Sequence, residues 1–173
     1  LAFSTHFGGN GSTTGEDVAI DASGNSYVAG ITQSDNFPAI NALYPNKTAT
    51  GSEYGNFLFK MNKAGTALIY STYLPRTNVV WFEGLHGLAV DSAGSAYVAG
   101  TTYSGRDVTV INGFNVLGEG SAGFFMKVSD VSYSLTITKT GSGTVTSGAN
   151  DIRCGAVCEV DFEYFTQVIL TAS

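Results

Sequence analysis

Charge is scarce in this chain. Only 13% of its 173 residues are Asp, Glu, Lys or Arg, against a usual share of about a quarter. The few charges lean acidic, with 14 carboxylates against 8 basic groups and a formal net charge of −6. A polyanion meets repulsion, and no Lys/Arg cluster offers a local exception, so a nucleic acid partner is not expected. Proline (three) and methionine (two) are rare too. No apolar run approaches the roughly 18–20 residues that a membrane helix needs. The chain opens LAFSTHF, without a basic or apolar leader, as a mature or trimmed polypeptide would.

Histidine and cysteine are nearly absent, and each absence removes a class of chemistry. His6 and His86 are the only candidates for a general base, and both sit among aromatic or apolar neighbours. His6 aligns with Tyr73 in the repeat described below, which makes it a packing position rather than a catalytic one. There is no Walker loop, no G-x-S-x-G elbow and no H-E-x-x-H. Glu16-Asp17 and the carboxylates of 159–163 have no partner motif and read as solvated. The expectation is a protein without a catalytic site and without a cofactor.

Two cysteines, Cys154 and Cys158, are spaced C-G-A-V-C. Two thiols cannot supply the four ligands of a structural zinc site, and the spacing is not that of a redox C-x-x-C. A disulfide and a pair of buried free thiols remain. The disulfide is preferred, would contribute about 2 kcal/mol on the chain-entropy model, and implies an oxidising, extracellular compartment.

Glycine (22) and aromatic residues (12%) are plentiful, and Gly with aromatics, Val and Thr in alternating runs signals short strands and tight turns. Self-similarity sharpens this. Residues 18–32 (VAIDASGNSYVAGIT) and 88–102 (LAVDSAGSAYVAGTT) share eight of fifteen positions. Residues 1–7 (LAFSTHF) match 68–74 (LIYSTYL), and 57–60 (FLFK) match 124–127 (FFMK), all in one order at offsets of 67, 70 and 67. A repeat of about 65 residues follows. Val18–Asp21, Asn25–Thr32, Gly55–Asn62 and Ala67–Leu74 are predicted as its four strands, with a long polar loop over 33–55. Asp21 would cap the first hairpin, and Gly24 would take the positive φ its turn requires. Asp91 and Gly94 repeat them, as Gly100 repeats Gly30.

The run Tyr70 to Leu74, followed in repeat order by Ala19, Asp21, Gly24, Asn25, Tyr27, Val28 and Gly30 and then by Ser34 to Pro38, resembles the bacterial seven-bladed β-propeller repeat. The resemblance covers residues 1–130 and implies four-stranded antiparallel blades. The second copy departs at Ser95, in place of the turn Asn, and at Pro75-Arg76, in place of the Gly8-Gly9 pair. From Ser132 the composition shifts. L-T-I-T, G-S-G-T-V, C-G-A-V-C and V-I-L-T-A in succession resemble the first half of a divergent internalin-type B-repeat, a small extracellular β module.

The expected architecture is therefore all-β: two propeller-type repeats (about 1–67 and 68–130, an incomplete propeller), then a small disulfide-containing module over 131–173. Asp21, Ser23 and Asn25 look like the start of a calcium loop. The twelfth position is Thr32 rather than Glu, however, and the second copy has Ala93 in place of Ser23, so a structural turn is favoured and no metal is expected. Trp81, Tyr44, Tyr54 and Tyr103 fall in or beside loops, where rings stack on sugars or seat a partner, although wedges between blades are commoner. Asn10 and Asn46 fit the glycosylation sequon.

Two blades do not close a propeller. Leu1, Phe3 and Phe7 lie in a segment with the sequence of a fourth strand, which could enter the second blade of another copy by β-augmentation. The reading is a non-catalytic, secreted bacterial surface or matrix protein that contacts proteins, glycans or copies of itself. The alternative is a carbohydrate-binding or accessory region of a larger secreted hydrolase.

Overall fold

A computed structural model describes residues 1–47, 53–75, 82–102, 112–113, 121–129, 132–147, 152–154, 157–163 and 168–173, the side chains of 82, 83, 132, 133, 153, 154, 157 and 161–163 excepted. Among these residues the chain is all-β and antiparallel. Among the described residues no helix is long and apolar enough to cross a membrane. The chain folds as two units, Leu1–Ser129 and Asp130–Ser173.

In the first unit, β1 (Thr13–Ile20), β2 (Ser26–Thr32), β3 (Gly55–Met61) and β4 (Leu68–Tyr73) form one sheet in sequence order. The strands lie where the alternating runs predict them, with one extension. β1 begins at Thr13, because Thr13–Gly15 pair with Gly30–Thr32 through a bulge between Gly15 and Asp17. The polar Gly-Glu-Asp run at this bulge hides the strand from a hydrophobicity reading.

A second sheet holds β5 (Phe82–Val90), β6 (Ala96–Thr102) and β7 (Ala122–Val128). Four strands were expected in each repeat, but this sheet has three among the described residues. The segment expected in place of its fourth strand, β8 (Ser132–Thr138), pairs instead with β11 (Val157–Glu163) in the second unit. That unit also contains β9 (Val145–Ser147), β10 (Arg153–Cys154) and β12 (Leu170–Ala172) in the order β10-β9-β12. Its fully buried Ile152 exchanges hydrogen bonds with Ser147, the Ser147 amide donating to the Ile152 carbonyl and the Ile152 amide to the Ser147 hydroxyl.

The two sheets of the first unit share one core. Tyr27, Ala29 and Leu58 from the first pack with Leu85, Ala96, Val98 and Phe124 from the second. Each large side chain buried this way contributes roughly 1.5–3 kcal/mol. Edge strands β1 and β5 also meet, where the Leu88 amide donates to Asp17 Oδ2 at 2.7 Å. The opposite face of the first sheet carries a second core of Phe57, Phe59 and Met61, covered by Phe37 and Tyr73.

Leu1–Phe7 forms no strand, contrary to its fourth-strand sequence. A strand needs a neighbour to pair with, and Leu1–Phe7 appears in no ladder of the described strands. Its anchor is Phe7, whose ring meets Phe57 and Phe59 edge-on at 5.7 and 4.7 Å.

Candidate functional site

The repeat builds one polar cluster twice. Each copy starts at the hairpin between the first two strands of its sheet. Asp21 Oδ1 accepts the amides of Ser23 and Asn25, at 3.0 and 2.9 Å. Asp91 Oδ1 accepts those of Ala93 and Ser95 at the same distances. Gly24 and Gly94 take φ of +86° and +83° to close the two turns. Two strands on, Lys60 and Lys127 come down on the same carboxylates, at 3.8 and 3.5 Å. Each ammonium also sits over a tyrosine ring, Tyr27 at 5.2 Å and Tyr97 at 5.1 Å. The Tyr97 hydroxyl closes its cluster by donating to Asp91 Oδ2 at 3.0 Å.

Close approach of strands lets both clusters form. A Cβ on Gly30 would lie 2.1 Å from the Thr14 carbonyl oxygen, and one on Gly100 would lie 2.5 Å from that of Gly84. Both glycines also sit against a phenylalanine of the third strand, Phe57 or Phe124.

Their surroundings separate the two copies. The first cluster is closed off by the second sheet, and the Tyr27 hydroxyl donates to the Gly94 carbonyl at 2.9 Å. The side chains of Lys60 and Asp21 keep 6% and 9% of their exposure, against 45% and 31% for Lys127 and Asp91. Leu58 is fully buried, whereas Phe125, its counterpart, is 69% exposed. Phe125 stacks on Tyr97 at 5.8 Å and 28°. The second copy thus presents an aromatic pair beside a lysine–aspartate pair.

The electrostatics follow. Burial works to raise the Asp21 pKa, but hydrogen bonds from the Asn25 side chain and amide, the Lys60 charge and the Ser23 amide bring it below its usual value. The Ser95 amide leads in lowering that of Asp91; Tyr97, Ala93 and Lys127 add to it against desolvation. Tyr97, ahead of Asp91, holds Lys127 protonated beyond its ordinary range.

With the Ser23 and Asn25 amides, the Asn25 side chain and Lys60 gathered on Asp21, its two oxygens serve the turn and the lysine. The calcium trio Asp21, Ser23 and Asn25 is thus laid out as a capped turn, with a lysine where a cation would sit. No group of three metal-ligating side chains occurs among the described residues.

Tyr44, expected beside a loop, packs against the Phe57 core while its amide donates to Thr72 Oγ1. Tyr54 is half-buried. Trp81 and Tyr103 lie outside the described residues. The loop after β2 is tied down by Phe37, stacked on Phe57 at 4.6 Å, and by Lys47, which pairs with Asp35 at 2.8 Å. Tyr73 holds the same loop, accepting from the Phe37 amide and donating to the Ser34 carbonyl. Burial pushes its hydroxyl pKa up.

His6 is exposed, which corrects its reading as a packing position. It lines an open cleft of 590 Å³ with Phe7, Phe59, Met61 and Leu68, and no carboxylate is in the lining. His86 is exposed as well and bonds Thr101 Oγ1 at 2.9 Å. The Asn10 side chain accepts the Asp35 amide. Cys158 is half-buried, and the Cys154 side chain lies outside the described residues.

Sequence reasoning did not single out Lys60, Lys127, Tyr97 or Phe125. The signal was present in the matched FLFK and FFMK runs, where lysine recurs at a strand position that alternation would make inward-facing.

Known families bear on the first sheet. A family model for a beta-propeller repeat matches residues 2–38, which run from the amino-terminal segment through β1 and β2 to Phe37 and Pro38. The match does not reach residues 132–173. No curated protein matches the chain.

Proposed function

We propose that this chain is a non-catalytic interaction module of a secreted bacterial surface or extracellular-matrix protein, in which propeller-type blades present faces and loops to a protein, a glycan or another copy. The observation that carries this reading is the repeated face, buried against a neighbouring sheet at Tyr27 and open to solvent at Tyr97. An exposed phenylalanine stacked on a tyrosine, with a charged pair alongside, is a surface that gains free energy when covered. A Cys154–Cys158 disulfide belongs to the same reading, as does an internalin-type module over residues 132–173. Both suit an oxidising exterior.

Binding of the labelled chain to a glycan array and to immobilised chain tests the proposal, with wild type set beside Phe125→Asp and Trp81→Ala. Saturable binding that one of these variants loses supports it. Hydrolysis by a longer parent chain, abolished by His6→Ala or His86→Ala, would replace it with a catalytic role. Saccharide binding with the hydrolysis seated elsewhere in the parent would favour an accessory region of a hydrolase.

A further inference from the structure

Asparagine followed by glycine occurs twice in this chain, at Asn10-Gly11 and at Asn112-Gly113. The pair is reactive because glycine carries no side chain to shield its own amide nitrogen or to restrict its backbone. That nitrogen can reach the side-chain carbonyl carbon of the asparagine before it. The fold treats the two pairs in opposite ways.

Asn10-Gly11 is pinned at both residues. The Gly11 amide donates to the hydroxyl of fully buried Ser34 at 2.9 Å, and that hydroxyl donates back to the Gly11 carbonyl at 3.0 Å. The Asn10 amide donates to Asn36 Oδ1 at 2.7 Å, and Asn10 Oδ1 accepts the Asp35 amide at 3.1 Å. A Cβ on Gly11 would lie 2.8 Å from the Gln33 carbonyl carbon, so the backbone has little room to turn. Asn112-Gly113, in the connection between β6 and β7, is held by nothing comparable. Both residues are exposed, and no described residue bonds the Asn112 side chain or the Gly113 amide. Asn112 also takes a φ of +50°, in the left-handed region that residues with a Cβ avoid.

We propose that Asn112 is a site of spontaneous deamidation and isoaspartate formation in the folded protein, and that the Ser34–Asn36 segment protects Asn10 from the same reaction. The Gly113 amide nitrogen, losing its proton to hydroxide, attacks Asn112 Cγ. The new bond joins that nitrogen to Cγ, the Cγ–Nδ2 bond breaks, and the side-chain nitrogen leaves as ammonia from a cyclic imide. Water then opens the imide. Addition at Cγ gives aspartate, and addition at the backbone carbonyl carbon gives isoaspartate, with the chain rerouted through the side chain. Nothing is oxidised or reduced. Each event adds a carboxylate to a chain that is already acidic. Isoaspartate also lengthens the backbone by a methylene at the residue held at positive φ.

Incubation of the full, folded chain in mildly alkaline buffer at physiological temperature tests this, read by isoaspartyl methyltransferase labelling and peptide mapping. The wild type is expected to accumulate label in the peptide containing Asn112, with an acidic shift of the intact chain, and none in the peptide containing Asn10. Asn112→Gln should lose that label, because the longer side chain closes the corresponding ring poorly. In denaturant, which removes the Ser34 and Asp35 contacts, both peptides should take up label. An Asn112 peptide that labels in denaturant but not in the folded chain overturns the proposal. So does an Asn10 peptide that labels as fast as the Asn112 peptide while the chain is folded.

Discussion

The hydroxyl of Tyr27 reaches across from the first sheet to the carbonyl of Gly94 in the second, at 2.9 Å. Its repeat mate Tyr97 bonds within its own sheet, to Asp91. One residue type in two equivalent positions thus acts once as a joint between sheets and once as part of an open face. Pairs of equivalent substitutions should separate these roles, measured at concentrations low enough for the chain to be monomeric.

Tyr27→Phe removes the inter-sheet bond and leaves a carbonyl without its donor, at a cost of about 1 kcal/mol. Tyr97→Phe should cost less, because water reaches its partner Asp91. Urea midpoints of the two variants provide the comparison, and equal losses would speak against the joint.

The lysines should differ more widely. Lys60→Ala strips a buried carboxylate of its counter-charge, a loss of roughly 3 kcal/mol for a broken buried pair. Lys127→Ala breaks a pair that solvent screens, so its loss should be clearly the smaller. Thermal unfolding of both variants should rank them in that order.

Gly30→Ala and Gly100→Ala should each destabilise by about 1–3 kcal/mol through overpacking, since the added methyl meets backbone oxygen rather than a side chain that can move aside. Gly87→Ala is the control, because its Cβ would meet nothing within 4 Å.

Acid should loosen the first hairpin in a defined direction. The folded-state pKa of Asp21 lies below the ordinary 3.8. Its ionised form therefore stabilises the fold in full above that value, and the contribution disappears as pH falls through the lower, folded-state value. Asp21→Asn should be less stable than wild type at neutral pH and lose less of its stability on acidification below about pH 4. Urea unfolding of both proteins between neutral and acid pH checks this. An unchanged acid response in the variant would assign the effect to other carboxylates.

Much of the first sheet was legible in the sequence. Alternation around Tyr27 and Val28, and the Asp21–Gly24 turn, depend on local chemistry that one strand pair satisfies. The Thr13–Asp17 half of β1 was hidden because its pairing runs through a bulge and through glycines chosen for close approach, not through apolar periodicity. Leu1–Phe7 carries the sequence of a strand without being one, since strand identity depends on a partner that a repeat alignment does not supply. The site was missed for a similar reason. Lys60 and Lys127 look alike in the sequence, and only packing of the second sheet on the first buries one and leaves the other open. His6 shows the converse, aligned with the buried Tyr73 yet exposed on a segment without strand neighbours.

Negative-stain electron microscopy of the wild-type chain beside Phe125→Asp most directly tests whether the open face is there to be covered. Assemblies of several copies in the wild type, and separate single-chain particles in the variant, are the predicted result. Single-chain particles in both would contradict it.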